Sequence, residues 1–415
     1  MKKNLHMITK TAFALVLLFT AAVATAQRTA SVTGNWNATA TWGGAQPPTS
    51  ADAVTINAGV TVTVNVASAA CASLTFTSGA TAANLTISGT NSLAVTGAVT
   101  INGVNVTGGT LPSLLTVGAG TLSCSSISFN PNSGNLGSNN RRSQLVISTG
   151  TVNVTGNITC SAAVTTGGTT GVLFSGAGTL NLGGSFYTGT NLGTLTPSTG
   201  TVNYNAAGAQ TIQNLTYNNL TVSNSGVKTL AGTVGGTLTL AGTTTTAGSI
   251  TYGANGILKY NGTTAQTTTD VEFPASMGGD VVIDNTAGVT LNGAKTLSGS
   301  LTLTNGVLTT TSANLLNFAD GFATVSGGSA TSYINGPVRK TGNDAFTFKV
   351  GKSGVYAPVT ITAPDNNGDV FTVEYFRASS SMGGIDPAIS ANVAGRWQVR
   401  FPDREPKCQG SCTTR

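Results

Sequence analysis

The chain has 415 residues, of which 8% are charged and 54 are glycine, and its formal net charge is +6. Much of that charge is terminal: Lys2, Lys3 and Lys10 open the chain, and Arg396, Arg400, Arg404, Lys407 and Arg415 close it. Between Gln27 and Val393 cations and acids balance, which leaves no clustered basic surface for nucleic acid.

Residues 1–26 read as an export signal. Three lysines precede an apolar run over residues 12–23, and Ala24-Thr25-Ala26 supplies the small residues of a cleavage site. The run is shorter than the roughly 20 residues that cross a bilayer, so the mature chain is expected to be secreted or on the outer cell surface, with no transmembrane anchor.

Residues 27–65 read as a cap. Trp36 and Trp42 flank a turn-rich stretch that ends in Pro47-Pro48. Large rings there would bury the open end of a stacked core. The competing reading makes Trp36 and Trp42 a glycan-contact platform, since an exposed indole face suits a pyranose ring. Arg28 and Asp52 are expected to pair locally.

Short strands follow, expected at 60–66, 73–76, 84–87, 92–95, 144–147, 151–154, 178–182, 201–205, 236–240 and 300–304. All are rich in Val, Leu, Ile and Thr and are punctuated by Gly or Asn. Low charge with much Gly and Ser would suit a linker, but the alternation lets each strand bury one face. Ser148-Thr149-Gly150-Thr151-Val152-Asn153 recurs at Ser198–Asn203. Tyr204-Asn205 with Ala209-Gln210-Thr211 recurs as Tyr260-Asn261 with Ala265-Gln266-Thr267, and Lys228-Thr229-Leu230 as Lys295-Thr296-Leu297. A unit of about 50 to 67 residues with tolerant loops indicates a stacking repeat. Strings of β-sandwiches would need longer strands and an aromatic core for each repeat. The expected fold is therefore all-β: a right-handed parallel β-helix (β-solenoid) over residues 27–333, with Thr, Asn and Ser ladders outside. An ice-binding face would need one tripeptide repeated at every coil. The threonines shift with the insertions, so none is expected.

Cys124 lies two residues after Leu122 and Cys160 two after Ile158, which places both thiols on buried strand faces. A Cys124–Cys160 disulfide is the alternative. Cys71 stays ambiguous, and Cys408 and Cys412 are unassigned.

The catalytic inventory is thin. His6 is the only histidine and leaves with the signal, so the mature chain has no imidazole base, triad or His ligand. Asp52 is the only acid between Arg28 and Thr269, so that stretch lacks the paired carboxylates of glycoside hydrolysis. Asp270, Glu272, Asp280 and Asp284 read as a solvated loop, with a divalent-ion or catalytic site as the alternative. Arg141-Arg142 reads likewise, with contact to an acidic partner as the alternative.

Residues 334–393 read as a small antiparallel β-domain closing the stack, with longer strands at 346–350, 359–362 and 370–376. Asp365-Asn366-Asn367-Gly368-Asp369 has the spacing that opens a calcium loop. Val370 stands where that loop needs glycine and Phe376 where it needs glutamate, so a hairpin turn is expected. Residues 394–415 form an irregular tail, read either as natural or as the end of a truncated or frame-shifted gene.

Gly34-Asn35-Trp36, Ala40-Thr41-Trp42-Gly43-Gly44, Pro47-Pro48, Asp52-Ala53-Val54-Thr55-Ile56 and Ala58-Gly59-Val60-Thr61-Val62 resemble the opening module of large secreted surface proteins of Bacteroidota. That module is similar to the glycine-rich G8 domain. Tyr217-Asn218-Asn219-Leu220-Thr221 and Ile334-Asn335-Gly336-Pro337-Val338-Arg339-Lys340 resemble the repeats of the same proteins. The resemblance implies a β-solenoid delivered by type IX secretion, and the sorting domain usual in such proteins is not found in this chain. No cofactor, metal or catalytic residue is expected. The expected function is a non-catalytic structural or adhesive repeat protein, with glycans or surface and matrix components as partners. The alternative is a carbohydrate-binding module or a remnant of a larger polysaccharide-active enzyme.

Overall fold

The computed structural model describes residues 26–104, 112–131, 142–161, 170–188, 193–321, 323–377 and 396–400. Residues 1–25, Arg141, Cys408 and Cys412 lie outside them, as does the tail apart from the strand Arg396–Arg400. Among the described residues the chain is all-β, about 51% strand and 1% helix, with many parallel strands stacked in sheets, an arrangement compatible with a β-solenoid.

Alternation determines how each strand sits. In Ala53–Ile56, Ser73–Phe76 and Ser126–Asn130 every second side chain is buried, and neighbours pair in parallel without slippage. Inward residues therefore stack as columns: Ile56 on Phe76, Phe76 on Ile101, Ile101 on Phe129, Phe129 on Cys160. Each inward Val, Leu or Ile contributes about 1.5–3 kcal/mol when fully buried, and it is fully buried only because the coils above and below cover it.

Three sheets build the N-terminal half. The first contains six strands, from Gln27–Ala30 to Ile158–Cys160. The second contains seven, from Gly34–Asn35 to Thr194–Thr196. The third runs on from Ala69–Cys71 to Val325–Gly327 and is the spine of the molecule. Its twelve-strand main path spans roughly 50 Å at about 4.8 Å per strand. A register step along it takes 30 residues from Thr121 to Thr151 but 18 from Thr201 to Asn219. The coil is thus much shorter than the 50-to-67-residue unit expected, and each sequence repeat spans two or three coils.

The recurring segments mark corners of the stack. A Cβ on Gly150 would collide with the Gly120 carbonyl one coil away, and one on Gly200 with the Phe174 ring. Gln210 bonds the Leu182 and Gly184 carbonyls of the preceding coil and accepts from Ala206 N. Gln266 repeats this with Leu240 O and Gly262 N.

Aromatic rings are better represented inside than their number suggests. Tyr187 joins the ends of two sheets: its N–H bonds Ile158 O, and its hydroxyl donates to Thr194 O and accepts from Val172 N. Phe129 and Phe186 pack on its ring, and Tyr204 and Tyr217 meet edge to face nearby in the chain. Beyond this junction the coil narrows, and the other two faces are rebuilt as separate sheets of three, four and six strands.

The C-terminal segment is continuous with the stack. Ile334–Asn335 and Val338–Thr341 are still parallel members of it. Antiparallel pairing follows: Phe346–Phe348 with Val359–Ile361, Gly351–Lys352 with Val355–Tyr356, and Val370–Phe376, which carries Arg396–Arg400 in turn, with the far edge of Val338–Thr341. The turn at Asp365–Asp369 does not make the expected hairpin: Val359–Ile361 pairs with Phe346–Phe348, so the turn passes between two sheets.

Candidate functional site

Trp36 and Trp42 are 2% and 4% exposed. The short 3-10 helix Thr39–Trp42 folds back so that the rings meet edge to face at 5.3 Å, and Trp42 Nε1 donates to Trp36 O at 2.8 Å. Neither indole offers an open face for stacking on a sugar. Beside them Asp52 accepts from the backbone and hydroxyl of Thr49, both at 2.8 Å, and stands 3.7 Å from Arg28 Nε. The Thr49 N–H, ahead of the other contacts, holds its carboxyl below the usual carboxylate value.

The acids of residues 270–284 do not converge. Asp270 is exposed and bonds Lys295 Nζ at 2.5 Å, Asp284 bonds Lys259 at 2.8 Å, and Asp280 accepts from Ser300 N. Glu272 corrects the solvated-loop expectation, since it is wholly buried. Its carboxyl accepts from Tyr260 OH at 2.9 Å, Thr269 N at 2.6 Å, Thr246 Oγ1 at 2.5 Å and Thr269 Oγ1. Burial, more than the nearby carboxyl group, pushes the Tyr260 phenol well above its ordinary value. Among the described residues no group of three or more His, Cys, Asp and Glu is placed to hold a metal ion. In the Asp365–Asp369 turn Asp365 is exposed, and Asp369 bonds through its backbone to Asn366 and Gly342.

Cys71, Cys124 and Cys160 are buried thiols outside any disulfide. Cys124 lies on the third sheet and Cys160 on the first, so the disulfide alternative gives way to separate core positions. Burial pushes the Cys124 thiol up to about 12, and the same cause, with a smaller contribution from Asp52, does so for Cys71. Arg142 is fixed through its backbone, its carbonyl accepting from Ser113 N.

Sequence reasoning missed three buried lysines. Lys228 donates to Ala206 O at 2.7 Å and Gly208 O at 3.0 Å. Lys295 reaches Phe273 O as well as Asp270, and Lys340 reaches Ala319 O and Asp344. Each clasps the preceding coil's corner. The signal was present: Lys228 precedes Leu230, Lys295 precedes Leu297 and Lys340 follows Val338, all by two residues, hence on the inward face.

A bonded polar ladder lies on the third sheet. Asn203 donates to Asn181 Oδ1 at 2.9 Å, Asn181 to Asn153 at 2.8 Å, and Asn153 to Ser123 at 3.2 Å. Ser223 extends the chain by donating to Asn203. A shallow open groove beside this ladder is lined by Asn153, Thr155, Asn181, Gly183 and Asn205. Such an array can present hydrogen-bonding groups, but it contains no acid, base or nucleophile pair. No described helix is long and apolar enough to cross a membrane. No family model matches the chain, and no curated protein or solved structure matches it.

Proposed function

We propose that this chain is a non-catalytic structural or adhesive protein of the cell exterior, a right-handed β-solenoid presenting a rigid rod. The observation that carries the reading is where the polar groups go. Glu272, Lys228, Lys295, Lys340, Gln210 and Gln266 bond neighbouring corners and coils. Groups committed in this way stiffen a stack and are not free to move protons for a substrate. The leader-like residues 1–26 and the Bacteroidota-like opening module support export. Under this reading Trp36 and Trp42 form the lid of the first coil.

Expression of the full chain with and without residues 1–26, followed by protease shaving of intact cells, tests the location. Surface cleavage only with the leader supports the proposal, and retention of both forms inside the cell refutes it.

Carbohydrate binding is the second reading, favoured by the uncharged amide-lined groove at Asn153, Asn181 and Asn205. A glycan array probed with the wild type and with Asn205→Leu separates the readings. Glycan binding lost in the variant would favour the second, and no binding by the wild type would leave the rod.

A further inference from the structure

The parallel register of the third sheet brings together residues that are scattered in the sequence. Thr121, Thr151, Thr179, Thr201, Asn219 and Thr237 form one outward row over six consecutive coils. Ser123, Asn153, Asn181, Asn203, Thr221 and Thr239 form a second, two positions along each strand. The expectation that threonines shift with the insertions fails here, because insertions are absorbed at the corners while the strands stay in register.

We infer that this face binds ice, with the two rows as the contact. Coil spacing sets one repeat at about 4.8 Å, and alternate residues along a strand set the other at about 6.6–6.8 Å. The oxygen spacings of the ice lattice along its two principal axes are comparable. All twelve residues are half-buried, as members of a level surface are. A side-chain ladder also keeps a sheet flat, and the amides of Asn153, Asn181 and Asn203 form one through their mutual bonds.

Threonine rows complete the match. Branching at Cβ restricts the rotamer, so hydroxyl positions repeat from coil to coil. Among the described residues Thr121, Thr151, Thr179 and Thr201 make no side-chain hydrogen bond, which leaves their hydroxyls for ordered water. Neither row contains a charge or an aromatic ring. That disfavours both a protein partner, whose interface needs apolar or aromatic anchors, and a sugar stacked on a ring. The inference adds a ligand to the exterior-rod reading and does not depend on it.

The test is ice-affinity partitioning of the purified full chain, with inhibition of ice recrystallisation as a second readout. Thr179→Lys disrupts the array at its centre, and Thr75→Lys places the same charge on the first sheet as a control. Wild type and Thr75→Lys should enrich in slowly grown ice, and Thr179→Lys should stay in the liquid with its thermal melt unchanged. If Thr179→Lys melts early, Thr179→Tyr takes its place, since tyrosine is a strong strand former that still breaks the level surface. Exclusion of the wild type from ice overturns the inference. So does equal uptake of wild type and a folded Thr179 variant, or loss of uptake in Thr75→Lys alone. Binding to microcrystalline cellulose without uptake into ice would assign the face to a polysaccharide and also overturn it.

Discussion

Glu272→Ala should unfasten the coils that meet around this side chain. Four donors converge on the carboxyl, from Tyr260, Thr246 and both the backbone and hydroxyl of Thr269. The Thr246 and Thr269 hydroxyls lie 2.8 Å apart and can bond each other once the carboxyl is gone. Three donors are then stranded: Thr269 N, Tyr260 OH and whichever of the two hydroxyls accepts from the other. At about 1–3 kcal/mol for each stranded buried donor, the cost is about 3–9 kcal/mol, before any contribution from the cavity. Glu272→Gln keeps one acceptor oxygen for Thr269 N and Tyr260 OH and turns its amide towards two hydroxyls that can accept, so it should cost about 1 kcal/mol. Repeat stacks unfold through near-neighbour steps, and a single global midpoint would blur this local effect. Amide hydrogen exchange across Thr237–Gly248, Ile257–Gly262 and Asp280–Asp284 is the sharper assay. Faster exchange there in the alanine variant, with near-normal protection in glutamine, is expected. Equal behaviour of the two variants, or a loss below about 1 kcal/mol in alanine, would refute the reasoning.

Trp42→Ala should destabilise the first coil by about 3–5 kcal/mol, while Trp42→Phe, losing the Nε1 bond to Trp36 O, should cost about 1 kcal/mol beyond any packing change; thermal melts and exchange in Ala53–Ile56 report both. Alkaline pH should unfold the chain cooperatively, because burial raises the phenols of Tyr187, Tyr204, Tyr217, Tyr252 and Tyr260. The folded state holds those protons longer than the unfolded one. Their contribution is therefore complete below the unfolded value of about 10 and is lost as pH climbs towards the folded value, about 12 for Tyr204. Tyrosinate absorbance from these five should rise together with loss of strand signal, and a gradual rise in a folded protein would count against it. In a Cys408→Ser/Cys412→Ser background, Cys71, Cys124 and Cys160 should ignore a thiol reagent until denaturant is added, and reduction should leave the mass unchanged.

Strands were the most legible part of this sequence, because a period of two survives in segments of four residues. Residues 73–76, 84–87, 92–95 and 151–154 were placed to the residue. Coil length was not legible, since similar corners recur only every second or third coil and the corners between them are free to differ. Thr237–Gly248 shows the same limit: its four consecutive threonines carry no alternation, yet the strand runs past a corner and pairs with both Asn219–Val222 and Ser225–Leu230. Glu272 looked like a loop acid because Thr269-Asp270-Val271-Glu272-Phe273 has no strand parity, and two of its partners, Tyr260 and Thr246, are 12 and 26 residues away in the sequence. The two outward rows were hidden for a related reason: their tripeptides Thr-Val-Asn and Thr-Leu-Asn were visible, but only the pairing shows that the gaps between them are corners.

The variable corners have a consequence for how such a chain can change. A coil of 18 residues and one of 30 advance the spine by the same single strand spacing. Insertions and deletions therefore alter girth and leave the axial pitch untouched. Lengthening the molecule requires a whole added coil, so its surface pattern can extend only in complete rungs, like graduations on a ruler whose thickness is free to vary.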